Sequence, residues 1–203
     1  MDPGFVRVSP FHQIIYECPS GSIVTTPVAL RFCGFCGVKQ PLRARHCEEC
    51  RRCIHKFDHH CPWLDTCIGE KNHRFFYLFL LSEAALTFWT IMIASSALVF
   101  LADPIVALQT NCVMICLIVF VSFSFLMSTA LAFMHTYVMV FNVTTWEFVS
   151  RRRITYLKDL HRDLNPFHQG IISNTFRFLF SGCTYNWEQT YLVNTAIAEY
   201  YDF

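Results

Sequence analysis

Residues 33–67 read CGFCGVKQPLRARHCEECRRCIHKFDHHCPWLDTC and hold seven of the chain's 11 cysteines. Three pairs sit two residues apart: Cys33 with Cys36, Cys47 with Cys50, and Cys50 with Cys53. Two thiolates on one tight turn can both reach a tetrahedral ion, so cysteines at this spacing with histidines nearby read as zinc ligands. Two sites of three cysteines and one histidine each use six cysteines and leave one over. One all-cysteine site beside one such mixed site would use all seven and leave none. Local chemistry favours Cys61 as the spare, because it ends the run Asp58-His59-His60-Cys61, where an acid, a base and a thiol are contiguous. Neighbouring side chains diverge in helix and strand alike, so one histidine can bind metal while the other addresses the thiol.

Outward from this stretch the chain turns apolar. The 203 residues are 54% hydrophobic and 16% aromatic, with a mean hydropathy of +0.35, which is high for a soluble domain. All 16 Lys and Arg lie at or before Arg74 or at or after Arg151, and the stretch from Pro104 to Trp146 has no charged residue. Residues 75–102 and 112–141 therefore read as two transmembrane helices, joined by a loop at 103–111 that contains Asp103-Pro104 and Gln109-Thr110-Asn111. A chain this short cannot wrap two such helices as the core of a soluble protein. Glu83 is the one acid in the first span. Basic residues on both flanks place both termini in the cytosol and the loop on the other side. The reducing cytosol disfavours disulfides among the clustered cysteines. A formal net charge of +1 gives no electrostatic footprint for nucleic acid, and the ligand spacing is not that of DNA-binding fingers. Residues 1–30 contain no secretory signal pattern.

The pattern Cys33-x2-Cys36-x9-His46-Cys47-x2-Cys50-x2-Cys53-x4-Asp58-His59-His60-Cys61-x5-Cys67-x4-Asn72-x3-Phe76 resembles the cysteine-rich signature of the DHHC palmitoyltransferases. Thr144-Thr145-Trp146-Glu147 is similar to that family's TTxE motif, Asp2-Pro3-Gly4 to its DPG motif, and Asn165-Pro166-Phe167 with Asn174 to its C-terminal membrane-proximal element. The resemblance implies a mainly α membrane protein with a cytosolic, cysteine-rich, two-zinc domain. Its parts would be a cytosolic segment 1–30, the zinc domain 31–74, the spans 75–102 and 112–141 about the loop 103–111, and a cytosolic C-terminal region 142–203. The family has four spans, two of them before the DPG motif, and Met1 here directly precedes Asp2, so two of the four are expected in this sequence. Thr66 stands where the family usually has Asn.

By that resemblance Cys33, Cys36, His46 and Cys53 hold one structural Zn2+, and Cys47, Cys50, His60 and Cys67 the second. Cys61 is the acyl-accepting nucleophile, His59 its base, Asp58 the acid that orients His59, and Thr145 a neighbour of that acid. The implied reaction moves a long-chain acyl group from acyl-CoA, palmitoyl-CoA above all, to Cys61 and then to membrane-proximal cysteines of substrate proteins. The lipid bilayer is the other expected partner and nucleic acid is not one. A Golgi or endoplasmic reticulum membrane is the expected location. The competing reading is a catalytically weak, truncated membrane scaffold that keeps the zinc fold. Arg43, Arg45, Lys71 and Arg74 read either as contacts for CoA phosphates or lipid headgroups or as a solvated basic face. His55 and His73 read as solvated, and His135 as a neutral imidazole or a functional group within the second span. Residues 171–180 place Ile172, Phe176, Leu179 and Phe180 on one helical side, suited either to the membrane surface or to packing on the zinc unit. Cys112, Cys116 and Cys183 read as apolar membrane or near-membrane residues, and Cys18 has no assigned role.

Overall fold

A computed structural model describes residues 1–7 and 30–201, so Cys18 and most of the 1–30 segment lie outside the described residues. The chain divides into two compact units, Phe75–Tyr137 and the combination of Met1–Arg74 with Val138–Phe203.

The first unit is the helical one, built from α1 (His73–Ser96) and α2 (Pro104–Phe141). At 24 and 38 residues both exceed the roughly 20 needed to cross a bilayer. Only 22% and 11% of their most apolar windows are buried, which makes both candidate membrane spans. Trp89, Phe123 and Phe133 are all more than half exposed, which suits hydrocarbon and not water. Within this unit the Tyr77 and Thr136 hydroxyls lie 2.9 Å apart, and the buried His135 ring meets Phe76 edge-on at 5.1 Å.

The expected loop at 103–111 is corrected: the break falls after Ser96, and residues from Pro104 onward are helical. Asp103 caps the new helix, its Oδ1 accepting from the amides of Ile105 at 2.8 Å and Val106 at 3.2 Å, and Pro104 is favoured in a first turn. Asn111, one of the polar residues that suggested a loop, is instead a buried clasp. Its Nδ2 donates to the carbonyls of Val99 and Ala107, both at 2.8 Å, and its Oδ1 accepts from the Val99 amide. The side chain thus satisfies the chain where α1 has stopped, which a count of polar residues does not reveal.

The second unit begins with three short antiparallel hairpins: β1 (Phe32–Cys33) with β2 (Val38–Lys39), β3 (Arg45–Cys47) with β4 (Arg52–Ile54), and β5 (His59–Cys61) with β6 (Thr66–Ile68). They repeat every fourteen residues. Cys33, Cys47 and Cys61 occupy one position of the repeat, and each is followed four residues later by a left-handed residue, Gly37, Arg51 or Asp65. His46 and His60 form a second repeated pair, Cys53 and Cys67 a third.

The Asp2-Pro3-Gly4 motif docks on the hairpins. Asp2 Oδ1 accepts from the Gly4 amide at 2.9 Å, the Gly4 carbonyl accepts from the His55 amide at 2.8 Å, and the Val6 amide donates to the Cys53 carbonyl at 2.8 Å. Gly69 makes this close approach possible: a Cβ there would lie 2.5 Å from both Ile54 Cγ2 and the Pro3 carbonyl oxygen. Gly69→Ala is therefore expected to destabilise this unit by about 2–3 kcal/mol through overpacking against backbone. A melting temperature equal to wild type, with the amides of His55 and Val6 still protected from exchange, would contradict that expectation.

After α2 come α3 (Thr145–Ser150), a 3-10 turn at Arg151–Arg153, α4 (Ile171–Phe180) and α5 (Trp187–Tyr201). They enclose a core of Leu42, Ile154, Leu157, Phe167 and Trp187. Asn174 anchors α4 by donating to the Val140 carbonyl at 2.8 Å. The opposite side, with Ile172 at 86% and Phe176 at 65% exposure, stays open, as the membrane-surface alternative for this helix requires.

Candidate active site and zinc clusters

Strand geometry sorts the residues of β5. Successive side chains alternate between faces, so His59 and Cys61 share one face and His60 occupies the other. His60 turns toward Cys47, Cys50 and Cys67, its Nδ1 lying 3.7, 3.6 and 3.6 Å from the three sulfurs. The first hairpin pair repeats the arrangement: His46 Nδ1 lies 3.2 Å from Cys36 Sγ and 3.9 Å from Cys53 Sγ, with Cys33 completing the group. In each cluster the four donor atoms lie within 4.8 Å of one another.

Those separations fit zinc. Metal–sulfur bonds of about 2.3 Å and metal–nitrogen bonds of about 2.0 Å at tetrahedral angles set neighbouring ligand atoms about 3.5–3.8 Å apart. The chemistry of the donors agrees, since burial pushes the Cys53 thiol up to about 12 and the Cys67 thiol higher still, so each becomes a thiolate only beside a cation. The two clusters could hold two zinc ions, each with four protein ligands and thus no open position for water. Each cluster takes a cysteine pair from one hairpin and a His–Cys pair from the next. This is why the ligands interleave along the chain, and why the third hairpin is left with Cys61 in the position that Cys33 and Cys47 hold, but with Leu64 where Cys36 and Cys50 stand. The fourteen-residue repeat was legible in the sequence and would have singled out Cys61 directly.

Just before β5, Asp58 is 1% exposed and its Oδ2 lies 2.7 Å from His59 Nδ1. Cys61 is buried, while the His59 side chain keeps 30% exposure. Thr145 meets Asp58 through its main chain: the Thr145 amide donates to Asp58 Oδ1 at 2.7 Å. Its hydroxyl is buried and makes no hydrogen bond among the described residues. The amide is aimed by a capping box, in which Thr144 Oγ1 accepts from the Glu147 amide at 3.1 Å and Glu147 Oε2 accepts from the Thr144 amide at 2.9 Å.

Glu147 in turn is gripped by Arg43, which the sequence had offered as a phosphate contact or a solvated cation. The structure makes it neither. Arg43 is 2% exposed, its Nε and Nη2 donate to the two Glu147 oxygens at 2.8 and 2.7 Å, and Nη1 donates to Asn142 Oδ1 at 3.1 Å. Its guanidinium carbon lies 4.2 Å from the Phe167 ring and 4.6 Å from the Trp187 ring. Arg45 stacks at 3.5 Å on Trp146, Arg74 donates to the carbonyls of Leu179 and Ser181, and Lys71 lies 3.5 Å from Asp2. His55 and His73, expected in solvent, are 1% and 3% exposed: His55 under the DPG motif and His73 edge-on to Phe178 at 4.9 Å. Asn142, which bonds Arg43, Lys56 and the Phe167 carbonyl, had no sequence signal beyond its place beside the TTxE-like motif.

Residues 27–152 match the family model described as DHHC palmitoyltransferase. The chain is 38% identical over 188 residues to "Palmitoyltransferase ZDHHC12" of Homo sapiens and to its Mus musculus counterpart, covering 93% of this chain and 70% of each relative. It is also 38% identical over 144 residues to "Protein S-acyltransferase 10" of Arabidopsis thaliana, covering 71% of this chain and 42% of that protein. With a match over more than half its length, and relatives this similar over most of it, the chain belongs to the DHHC palmitoyltransferases, a family of protein S-acyltransferases.

Proposed function

We propose that Cys61 carries the acyl group in this chain's protein S-acyltransferase reaction, with His59 as its base and Asp58 as the group that orients His59. The observation that carries this is the 2.7 Å bond from His59 Nδ1 to a buried Asp58 oxygen, on the strand face that His59 shares with Cys61. A proton held on Nδ1 leaves Nε2 as the acceptor for a thiol proton. A free cysteine with a pKa near 8.5 is only about 3% thiolate at neutral pH, so the base matters. The second Asp58 oxygen is occupied by the Thr145 amide, which fixes the carboxylate for its task and makes Thr145 a positioning residue through its backbone.

The Cys61 sulfur attacks the thioester carbonyl of a long-chain acyl-CoA. The new carbon–sulfur bond replaces the bond to CoA, and the departing CoA thiolate takes up the proton from His59. A substrate cysteine then repeats the exchange on acyl-Cys61, its thiol proton passing by way of His59 to the Cys61 sulfur. The zinc ions, held by the eight Cys and His ligands, would supply rigidity and no chemistry. The proposal includes the cytosolic face for the zinc unit and both termini, supported by the placement of Lys and Arg on either side of the spans. Substrate cysteines near the membrane go with it, as does a Golgi or endoplasmic reticulum location on the family resemblance.

The test is incorporation of a clickable palmitoyl-CoA into the membrane-reconstituted chain. Wild type is expected to take a hydroxylamine-labile label, and Cys61→Ser to fall below about 1% of it, as loss of a nucleophile does, with both zincs retained. A zinc-loaded wild type that takes no label, beside an active relative, would support the scaffold reading.

A further inference from the structure

The family-model match ends at residue 152, yet two residues far beyond it grip the network that holds Asp58. Trp187, the first residue of α5, is 2% exposed, and its Nε1 donates to Glu70 Oε1 at 2.8 Å. One face of its ring meets Arg43 at 4.6 Å, and Lys56 Nζ lies 4.9 Å from the ring centroid. Its neighbour Glu188 is 3% exposed and accepts the Leu42 amide at 2.6 Å. Leu42 directly precedes Arg43, whose φ of +66° is a region that non-glycine residues occupy only when their surroundings enforce it. The Phe57 amide holds the other side of that residue by donating to the Arg43 carbonyl at 2.9 Å.

We infer that Trp187 and Glu188 form a clasp that positions the catalytic Asp58–His59 pair, acting through Arg43, Glu147 and the Thr145 amide. Each link is a contact in the structure: the indole meets the Arg43 guanidinium, the Glu188 carboxylate accepts from the Leu42 amide just before it, Arg43 forks onto Glu147, Glu147 closes the capping box, and the box aims Thr145 at Asp58. Such charge-assisted and bidentate bonds fix direction as well as distance, and a cation over an indole face adds attraction without needing a charged partner. Burial draws the Lys56 ammonium below and the Glu70 carboxyl above their ordinary values, which marks the dry surroundings in which these contacts are strong. Trp187 touches no reacting atom in this scheme. It is a positioning residue, and the inference rests on the acyltransferase reading given above.

The test compares Trp187→Ala, Trp187→Phe and Glu188→Gln in the full chain. The readouts are zinc content, steady-state acylation with palmitoyl-CoA, and amide exchange over residues 42–45 and 144–147. Trp187→Ala is expected to keep two zincs, lose about tenfold in kcat with KM within about twofold, and exchange faster at Leu42 and Thr145. Trp187→Phe, which keeps a ring over Arg43, should recover most of the rate, and Glu188→Gln should fall between. Wild-type kcat and wild-type exchange in Trp187→Ala would overturn the clasp. Should Trp187→Ala lose its zinc, Glu188→Gln decides: unchanged rate and exchange overturn the clasp, and slower turnover with faster exchange at Thr145 support it. If wild type itself takes no label, the acyltransferase reading fails, and exchange at Thr145 in Trp187→Ala separately upholds or overturns the mechanical link.

Discussion

Stripping zinc with a strong chelator, or replacing Cys53 by serine, is expected to unfold the three hairpins while leaving the helical unit intact. The hairpin strands are only two or three residues long and the local cluster beneath them is small, built on Cys47, Ile54, Phe57 and Cys67. So little apolar surface cannot offset the conformational entropy of ordering the segment. A structural zinc site contributes about 10–16 kcal/mol of apparent free energy at neutral pH, as much as a whole domain's net stability. Cys53 belongs to the first cluster, but it also stands on β4, and the Val6 amide of the DPG segment bonds to its carbonyl. Losing it should therefore release the second zinc and free the DPG segment as well. Metal content by elemental analysis, proteolysis between Phe32 and Ile68, and far-ultraviolet circular dichroism separate the outcomes. A serine variant holding one tightly bound zinc, with the second hairpin pair still protease-resistant, would show that the clusters fold independently.

The second large effect concerns Arg43. Arg43→Met is expected to destabilise the chain by about 3–5 kcal/mol, because it leaves the Glu147 carboxylate buried without its cation. Glu147 is 4% exposed, and its other hydrogen bonds among the described residues come from the Thr144 amide and the Tyr156 hydroxyl. Adding Glu147→Leu to Arg43→Met should recover much of the loss, since a buried pair replaced by apolar groups is often close to neutral in stability. Acylation should not recover, because the capping box that directs the Thr145 amide to Asp58 requires the Glu147 carboxylate. Arg43→Lys should behave as a partial loss, since an ammonium cannot fork onto both carboxylate oxygens and Asn142 together. Chemical denaturation for stability, read beside the acylation rate of each variant, tests both halves. Recovery of activity in the double variant would sever α3 from catalysis.

These two expectations draw on different kinds of knowledge. The division of eight Cys and His residues into two candidate zinc sites follows the family resemblance, and the structure brings the same two sets of four together. Residue type at short spacing pointed to metal ligands, while their division into two sets of four came from the resemblance. The same holds for two apolar helices, where length and the absence of charge suffice. Their boundary could not be read that way. Gln109-Thr110-Asn111 looked like a loop by composition, but Asn111 satisfies the backbone of Val99 from within α2, and only the folded partner shows where a polar side chain is aimed.

Arg43 marks the same limit more sharply. An arginine in a basic stretch is a solvated cation by default, and nothing within twenty residues of it contradicts that. Its partners Asn142, Glu147, Phe167 and Trp187 are brought to it by tertiary folding. The sequence by itself determined the metal-ligand chemistry, the lipid-compatible spans and the Asp58-His59-Cys61 order, because each resides in residue type and local spacing. Only the tertiary structure decided which charges are buried, that the Thr145 amide bonds Asp58, and that the C-terminal helix holds the Leu42 amide and the Arg43 guanidinium. Burial and hydrogen-bond direction are properties of segments far apart in sequence, and they exist only once those segments meet.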